Sequence, residues 1–243
     1  MTVLERPPVY TIGHSTRSIA EFVELLKYGR VELVVDIRST PRSRVNPQFN
    51  LNVLPEALAA WQIGYLYIAD LGGRRPKSKV VPPTVNAFWT NQSFHNYADY
   101  ALSDEFRGGM SCLAEASRER RCAIMCSEAV WWRCHRRFVA DYLLYDGRDV
   151  FHLMGARRVD VATINPAARA EGASLVYPSE RNHSASVIQL EHPLADCEGR
   201  LQRVDPRPLR RVQNLGSGLV DYSQKMTVAA MQMADMNVWA QRS

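Results

Sequence analysis

Short apolar runs alternate with segments of helical periodicity along most of this chain, and this alternation limits its fold more than any other feature. The runs are rich in β-branched and aromatic residues and too short for globular helices, so we interpret them as buried strands. They cover residues 9–12, 32–38, 64–70, 122–126 and 149–154. Helical spacing is found over residues 19–28, 55–61, 104–118 and 129–145. The pattern predicts an α/β fold, a three-layer sandwich with a mainly parallel sheet.

The 243 residues are enough for one such domain and an appendage. From about Ser179 the periodicity weakens, and polar residues and isolated prolines become frequent. We therefore expect an α/β domain over residues 1–178 and a weakly structured extension, peripheral or partly disordered, over residues 179–243. Within it, Met226 to Trp239 could form a short helix against the domain or a second copy. The oligomeric state stays open, a homodimer included.

Neither a membrane span nor a secretory leader is expected. No apolar run approaches the roughly 20 residues that a transmembrane helix requires, and Met1 to Pro8 lacks the basic flank and apolar stretch of a signal peptide. Five unevenly spaced cysteines suit reduced thiols better than a disulfide framework. We therefore expect a cytoplasmic protein.

The net charge of +5 leaves the binding partner open. Only four of the 30 basic residues are lysines, and arginine suits phosphate and carboxylate groups, yet a genome-wide compositional bias gives the same excess. A basic border is predicted from residues in two loops, Arg42, Arg44, Arg74, Arg75, Lys77 and Lys79. It would suit a phosphate-bearing ligand or nucleic acid, although no helix-turn-helix, zinc-finger or RNA-recognition signature is present.

Polar clusters follow four of the predicted strands. Because ligands of parallel sheets bind beyond the carboxyl ends of the strands, these clusters should share one edge. They are residues 13–15, 36–38, 70–73 and 126–128. His14 could act there as a general acid or base, or could simply cap its own turn. Asp36 and Arg38 could contribute to a site or form a buried ion pair.

Cys126 is the strongest candidate for chemistry. It ends a buried strand and faces the start of the predicted helix 129–145, where unpaired N–H groups favour the thiolate. The alternative is a small apolar residue of the sheet. Cys134 and His135 fall inside that predicted helix, and Cys134 would then be a core residue.

These considerations give one set of candidate site residues. The candidate catalytic residues are Cys126, Glu128, His14 and Asp36. The candidate substrate-binding residues are Ser15, Arg38, Arg42, Arg133 and Arg136. A metal site is weaker, because the spacing of its candidate ligands Cys126, Cys134 and His135 matches no standard zinc pattern. The sequence identifies no cofactor.

Several separated motifs together resemble the domain of unknown function 488 family over about Val9 to Pro178. The motifs are Thr11-Ile12-Gly13-His14-Ser15, Val35-Asp36-Ile37-Arg38 with Pro41, Ser43, Pro47 and Phe49, Leu71-Gly72-Gly73, Met125-Cys126-Ser127-Glu128, Cys134-His135-Arg136, residues 165–169 and residues 175–178. The resemblance implies a compact α/β domain and supplies no substrate. A more polar or proline-containing turn would be expected at Ala129 to Trp132, which leaves the start of that helix open.

The leading functional hypothesis is an enzyme that acts on a phosphate-containing small molecule or nucleic-acid component through Cys126. Glu128 and His14 would carry protons, and Arg38 and Arg136 would bind the anion. One alternative is a non-catalytic nucleic-acid-binding module that uses the arginine-rich surface. The other is a metal-binding protein that uses Cys126, Cys134 and a histidine.

Overall fold

The computed structural model describes residues 6–155, 158–179 and 202–203. Its strands are β1 (Val9–Gly13), β2 (Leu33–Asp36), β3 (Gly64–Tyr67), β4 (Cys122–Cys126), β5 (Val150–Gly155), β6 (Arg158–Val161), β7 (Arg169–Glu171), β8 (Ser174–Val176) and β9 (Gln202–Arg203). Its α-helices are α1 (Ile19–Tyr28), α2 (Leu54–Ala59), α3 (Gln92–Tyr100), α4 (Asp104–Ala116) and α5 (Arg136–Tyr145).

A single sheet organises the fold, with the strand order β6-β5-β1-β4-β2-β3-β9. The five central strands are parallel, whereas β6 and β9 run antiparallel to their neighbours at the two edges. Strands β7 and β8 form a separate antiparallel pair. The predicted mainly parallel α/β architecture is confirmed.

Helices cover both faces of the sheet, and each face has its own hydrophobic core. On one face, Phe22 and Leu26 of α1 and Leu58 of α2 pack against alternate strand residues such as Val34 and Ala123. On the other, α3, α4 and α5 pack against the opposite set. Their buried core residues include Tyr97, Ala98, Phe106, Leu113, Phe138 and Val139. Two such cores are the expected result of right-handed crossovers on opposite sides of a parallel sheet.

Side chains of N-cap residues satisfy backbone N–H groups at the starts of α1 and α3. Ser18 precedes α1 and forms a capping box with Glu21, and the helix covers the predicted residues 19–28. Helix α3 was not expected, because its sequence is polar. It is capped by Asn91, whose side chain accepts hydrogen bonds from the backbone N–H groups of Ser93 and Phe94.

Helix α5 begins seven residues later than the periodicity predicts, at Arg136 instead of Ala129. The preceding segment contains a single 3₁₀ turn, Trp131–Arg133. The Trp131 ring stacks on His152 of β5, with 4.4 Å between the ring centroids. Residues 127–135 thus contain no α-helix, and Cys134 and His135 lie before α5.

The chain divides into two units, Met1–Pro206 and Arg207–Ser243, and every described residue belongs to the first. The predicted extension over residues 179–243 lies outside the described residues except for Ser179 and the backbone of Gln202–Arg203. Among the described helices, none has the length and apolar character needed to cross a membrane.

Candidate active site at the carboxyl edge of the sheet

The candidate site lies where the winding of the sheet reverses. Strands β1 and β4 are neighbours, with Gly13 in register with Cys126. The chain leaves β1 through α1 on one face and leaves β4 through α5 on the other. Such a reversal opens a crevice beyond the carboxyl ends of the two strands, which is where ligands of doubly wound sheets bind.

A pocket of about 440 Å³ occupies this edge. Its lining comes from loops after β1, β2, β3 and β4 and from the start of α3. The lining residues are His14, Arg38, Ser39, Thr40, Arg42, Ser43, Asn46, Gly73, Arg74, Ser93, Phe94, Cys126, Ser127, Glu128, Arg133, Cys134 and His135. Eight of the eleven candidates for catalysis, binding or metal coordination line this pocket, together with Arg74 of the predicted border.

The structure separates the rest of the predicted basic border from this pocket. Arg75 and Lys77 instead line a second cavity of about 670 Å³. The Arg75 guanidinium lies 3.6 Å from the centre of the Tyr100 ring. Four arginines from the loops after β2, β3 and β4, Arg38, Arg42, Arg74 and Arg133, therefore form the basic part of the first pocket.

Cys126 lies beside a second thiol and an imidazole. His135 Nδ1 is 3.8 Å from the sulfur of Cys126 and 3.7 Å from the sulfur of Cys134. The other ring nitrogen, Nε2, donates a hydrogen bond to the carbonyl oxygen of Ile37 over 2.9 Å. Since Nε2 donates to Ile37, Nδ1 is the nitrogen that can accept the Cys126 thiol proton and then donate to the thiolate.

The two thiols differ in acidity because their surroundings differ. A hydrogen bond from the Cys134 thiol, reinforced by His135 and by the charge of Arg136, holds the pKa of Cys126 well below its ordinary value. Burial, followed by the neighbouring Cys126, raises the pKa of Cys134 well above its ordinary value. The surroundings of the pair therefore favour the thiolate at Cys126 and the thiol at Cys134.

Arg136 supplies a buried positive charge next to this pair. Its side chain is 1% exposed and donates one hydrogen bond, of 2.8 Å, to the carbonyl oxygen of Glu128. Nε and Nη1 have no hydrogen-bond partner, and no carboxylate of the described residues forms an ion pair with it. A buried guanidinium needs a compensating negative charge, which the Cys126 thiolate would provide.

The loop after β4 is held in place by backbone contacts with the end of β1. The N–H groups of His14 and Ser15 donate to the carbonyl oxygens of Cys126 and Ser127, each over 2.9 Å. A Cβ atom on Gly13 would lie 1.8 Å from the Glu128 carbonyl oxygen. A glycine is therefore required at Gly13 for this loop to pass so close.

The loop after β3 also contributes through a glycine. A Cβ atom on Gly73 would lie 2.4 Å from Nδ1 of His135. The sequence predicts Gly73 at this edge but gives no indication of its function. The missing side chain leaves the space in which the His135 ring faces Cys126.

His14, Asp36 and Arg38 form a linked group beside the thiols. Arg38 donates to both carboxylate oxygens of Asp36, to the Phe49 carbonyl oxygen and, through Nη1, to His14 Nε2 over 3.2 Å. His14 Nδ1 then donates to the Ser15 carbonyl oxygen, and its ring stacks on Phe49. Burial lowers the pKa of His14. Both ring nitrogens are thus engaged, and Asp36 orients Arg38 from beneath the pocket.

The remaining candidates lie at different depths. The side chains of Glu128 and Arg133 are exposed at the pocket wall. Ser15 is half-buried, with a left-handed backbone at a φ of 49°, and it does not line the pocket. Arg136 also lies behind the wall, next to Cys126, and not in direct reach of a ligand in the pocket.

The ligand atoms of Cys126, Cys134 and His135 all lie within 4.8 Å of one another. Two sulfurs and an imidazole nitrogen are suitable donors for a soft ion such as Zn²⁺. Two thiolates would neutralise a divalent ion, however, and the charge of Arg136 would then have no partner among the described residues. The charge balance therefore favours a free thiol pair.

The fold and site define a doubly wound α/β protein with a cysteine–histidine pair at its switch point. The chain belongs to the family described as "Domain of unknown function DUF488", whose family model matches residues 18–143. Over a stretch of 34 residues it is 65% identical to a Sinorhizobium fredii protein whose name places it among MucR family transcriptional regulatory proteins. That stretch is 14% of this chain and 20% of the relative. No solved structure matches the chain.

Proposed function

We propose that this protein is an enzyme that acts on a phosphate-containing small molecule or nucleic-acid component, with Cys126 as its nucleophile or redox thiol. The observation that carries the proposal is the contact between Cys126 Sγ and His135 Nδ1 at the wall of an arginine-lined pocket. Activated nucleophiles typically contact a base that a third group orients. Cys126, His135 and the Ile37 carbonyl correspond to these three parts.

The charges around the pocket support an anionic substrate. Arg38, Arg42, Arg74 and Arg133 line the same cavity, together with hydroxyl and amide side chains from the loop after β2. Guanidinium groups bind phosphate oxygens in a bidentate manner, and hydroxyl groups add further donors. Arg38 forms a buried ion pair with Asp36, and one N–H of its Nη1 remains for a ligand. Bidentate binding of an anion therefore falls to Arg42, Arg74 and Arg133.

Proton transfer in this pocket has two candidate carriers. His135 contacts the reacting sulfur, so it takes the role nearest to the chemistry. Glu128 is an exposed carboxylate at the pocket wall, where it can exchange protons with a bound ligand. His14 contributes by holding Arg38, since its Nε2 is already engaged.

Thiol alkylation with and without inorganic phosphate tests the proposal. Purified full-length protein is treated with iodoacetamide at pH 7, and the modified cysteines are identified by peptide mass spectrometry. We expect Cys126 to react first, Cys126→Ser to abolish this labelling, and phosphate to slow it. An unreactive Cys126, or labelling of Cys126 that phosphate leaves unchanged, would contradict the thiol or the anion part of the proposal respectively.

A charge-matched pair of variants identifies where phosphate acts. Arg133→Gln removes an arginine from the pocket wall, whereas Arg118→Gln removes an exposed arginine that pairs with Glu115 on α4. Protection by phosphate should weaken several-fold in Arg133→Gln and stay unchanged in Arg118→Gln. Equal weakening in both would mean that only the net charge matters.

A second candidate function is nucleic-acid binding without catalysis. The resemblance over 34 residues to a protein named as a transcriptional regulator favours it, as does the excess of arginine. Binding of this kind should weaken steeply between 50 and 200 mM salt, by a factor of roughly 10³ or more for an extensive phosphate interface. It should also survive Cys126→Ser, which separates it from the enzyme.

We further propose that the reaction belongs to the α/β domain of residues 1–178, with residues 179–243 as an appended segment. The pocket residues all fall between His14 and His135. A free thiol pair persists most readily in a reducing compartment, in agreement with the cytoplasmic location expected from the sequence.

A further inference from the structure

Cys134 is placed to do more than lower the pKa of its neighbour. Its sulfur lies within 4.8 Å of the Cys126 sulfur, and both contact the same nitrogen of His135. The two residues are eight positions apart, Cys126 at the end of β4 and Cys134 between the 3₁₀ turn and α5. We propose that Cys134 is a resolving thiol that forms a reversible disulfide with Cys126. This inference rests on the proposed function, because it requires a reactive Cys126.

The geometry allows bond formation with a small displacement. A disulfide needs a sulfur–sulfur distance of about 2.05 Å, so the two sulfurs must approach by less than about 3 Å. Cys134 has an extended backbone, with φ −131° and ψ 148°, outside the regular helix. A rotation of its side chain and a small shift of this segment can bring the sulfurs together without breaking a strand or α5.

A small oxidant that enters the pocket can reach both sulfurs of the pair. The other cysteines of the described residues lie outside the pocket. Cys126 and Cys134 line the pocket, but Cys112 and Cys122 do not. The opposite acidities of the pair suit the two roles, since a thiolate attacks first and a protonated thiol is held in reserve.

The reaction requires a hydroperoxide as oxidant and an external dithiol as reductant. The Cys126 thiolate attacks one peroxide oxygen, the O–O bond breaks, and the leaving alkoxide or hydroxide takes up a proton. Cys126 is then a sulfenic acid. The Cys134 sulfur attacks the Cys126 sulfur, an S–S bond replaces the S–O bond, and the thiol proton leaves with hydroxide as water. A dithiol later returns two electrons and two protons.

Peptide mapping after oxidation tests the proposal directly. Trypsin cleavage after Arg121, Arg133 and Arg136 gives one peptide with residues 122–133 and another with residues 134–136. Full-length protein is reduced, freed of metal with a chelator, treated with equimolar hydrogen peroxide and alkylated. We expect the two peptides to be linked, and the link to disappear on treatment with dithiothreitol.

Two variants assign the link to the correct pair. Cys122→Ser removes the other cysteine of the first peptide, and the link should persist. In Cys134→Ser the link should be lost, and Cys126 should accumulate as a sulfenic acid that dimedone traps. A link that fails in Cys122→Ser would overturn the assignment.

The outcomes separate this inference from the function on which it rests. If iodoacetamide labels Cys126 but peroxide forms no link to Cys134, the resolving role is wrong and the reactive thiol stands. If Cys126 reacts with neither reagent, both are wrong. A link between Cys126 and another cysteine would also overturn the role of Cys134.

Discussion

Strand β4 has a buried cysteine at each end, and the two cysteines have opposite acidities. At the amino end, Cys122 contacts the Ala116 carbonyl oxygen over 3.4 Å, and burial raises its pKa to about 12. At the carboxyl end, Cys126 accepts from Cys134 and lies beside His135 and Arg136, and its pKa is lowered. A carbonyl acceptor favours the thiol, whereas donors and cations favour the thiolate. Burial therefore does not by itself decide whether a cysteine is inert.

Two buried arginines show the same contrast. Arg148, near Cys122, donates to Ser117 Oγ and to the carbonyl oxygens of Ser117 and Pro7. The side chain of Arg136, near Cys126, donates only to the Glu128 carbonyl oxygen among the described residues. The first arginine joins backbone segments together, whereas the second leaves much of its charge available to a neighbouring anion.

The largest expected difference is in alkylation rate. At pH 7, iodoacetamide should modify Cys126 faster than Cys122 by at least about a hundredfold, because a thiol with a pKa of about 12 is almost entirely protonated. Time-resolved peptide mass spectrometry of the native protein measures both rates in one sample. Rates within a few-fold of each other would remove the contrast between the two ends of β4.

The buried His152 on β5 should make the stability of the fold depend on pH. Burial, followed by the charge of Arg136, lowers its pKa to about 4. Below pH 6.5 the imidazole of His152 is protonated in the unfolded chain but not in the folded chain. As the pH is lowered from 6.5 to 4, this residue therefore decreases the free energy of unfolding by at most about 3 kcal/mol. Chemical denaturation of wild type and His152→Gln at several pH values checks this, since the variant should lack the loss. Parallel stability curves would contradict it.

Exchange of each arginine for methionine should separate their roles. Arg136→Met should move the midpoint of the pH–rate profile for Cys126 alkylation upward by about one pH unit, because the thiolate loses a nearby cation. Arg148→Met should lower the free energy of unfolding and leave that midpoint unchanged. Equal midpoints in the two variants would show that Arg136 does not act on Cys126.

The smallest effect concerns the glycine beneath His135. Gly73→Ala should displace the imidazole and slow Cys126 alkylation several-fold, with Cys122 unaffected. Gly172→Ala is the control, since Gly172 has a φ of +59° with no atom within 4 Å of an added Cβ. It should cost roughly 1 kcal/mol of stability and leave Cys126 unchanged. A similar rate change in both variants would indicate a loss of stability only.

Local pattern was enough to predict the middle of the sheet, because β1, β2 and β4 are short runs with buried residues throughout or nearly so. Strand β4 covers the predicted residues 122–126, and β1 and β2 differ from prediction only at their ends. Helix α3 was missed because its apolar residues are few, although Asn91 is a recognisable N-cap. The edge strand β6 was missed as well, since it is short and none of its residues is fully buried.

The site was harder to predict than the edge on which it lies. Topology brings His14, Arg38 and Cys126 to one edge, and the alternation of strands and helices is enough to infer that. The position of His135 depends on where α5 begins, and the stacking of Trp131 on His152 involves residues 21 positions apart. Helical periodicity carries no information about such a contact, so His135 was assigned only as a candidate ligand.

Gly13 has a consequence for how proteins with this architecture can diversify. Its lack of a side chain fixes the height of the loop that contains the sulfur and imidazole groups, while the pocket arginines come mainly from other segments. If the protein is the proposed enzyme, exchanges at Arg42 or Arg74 would alter which molecule is recognised without disturbing the thiols and His135. Relatives could then acquire new substrates through these arginines alone, with the proposed chemistry inherited intact.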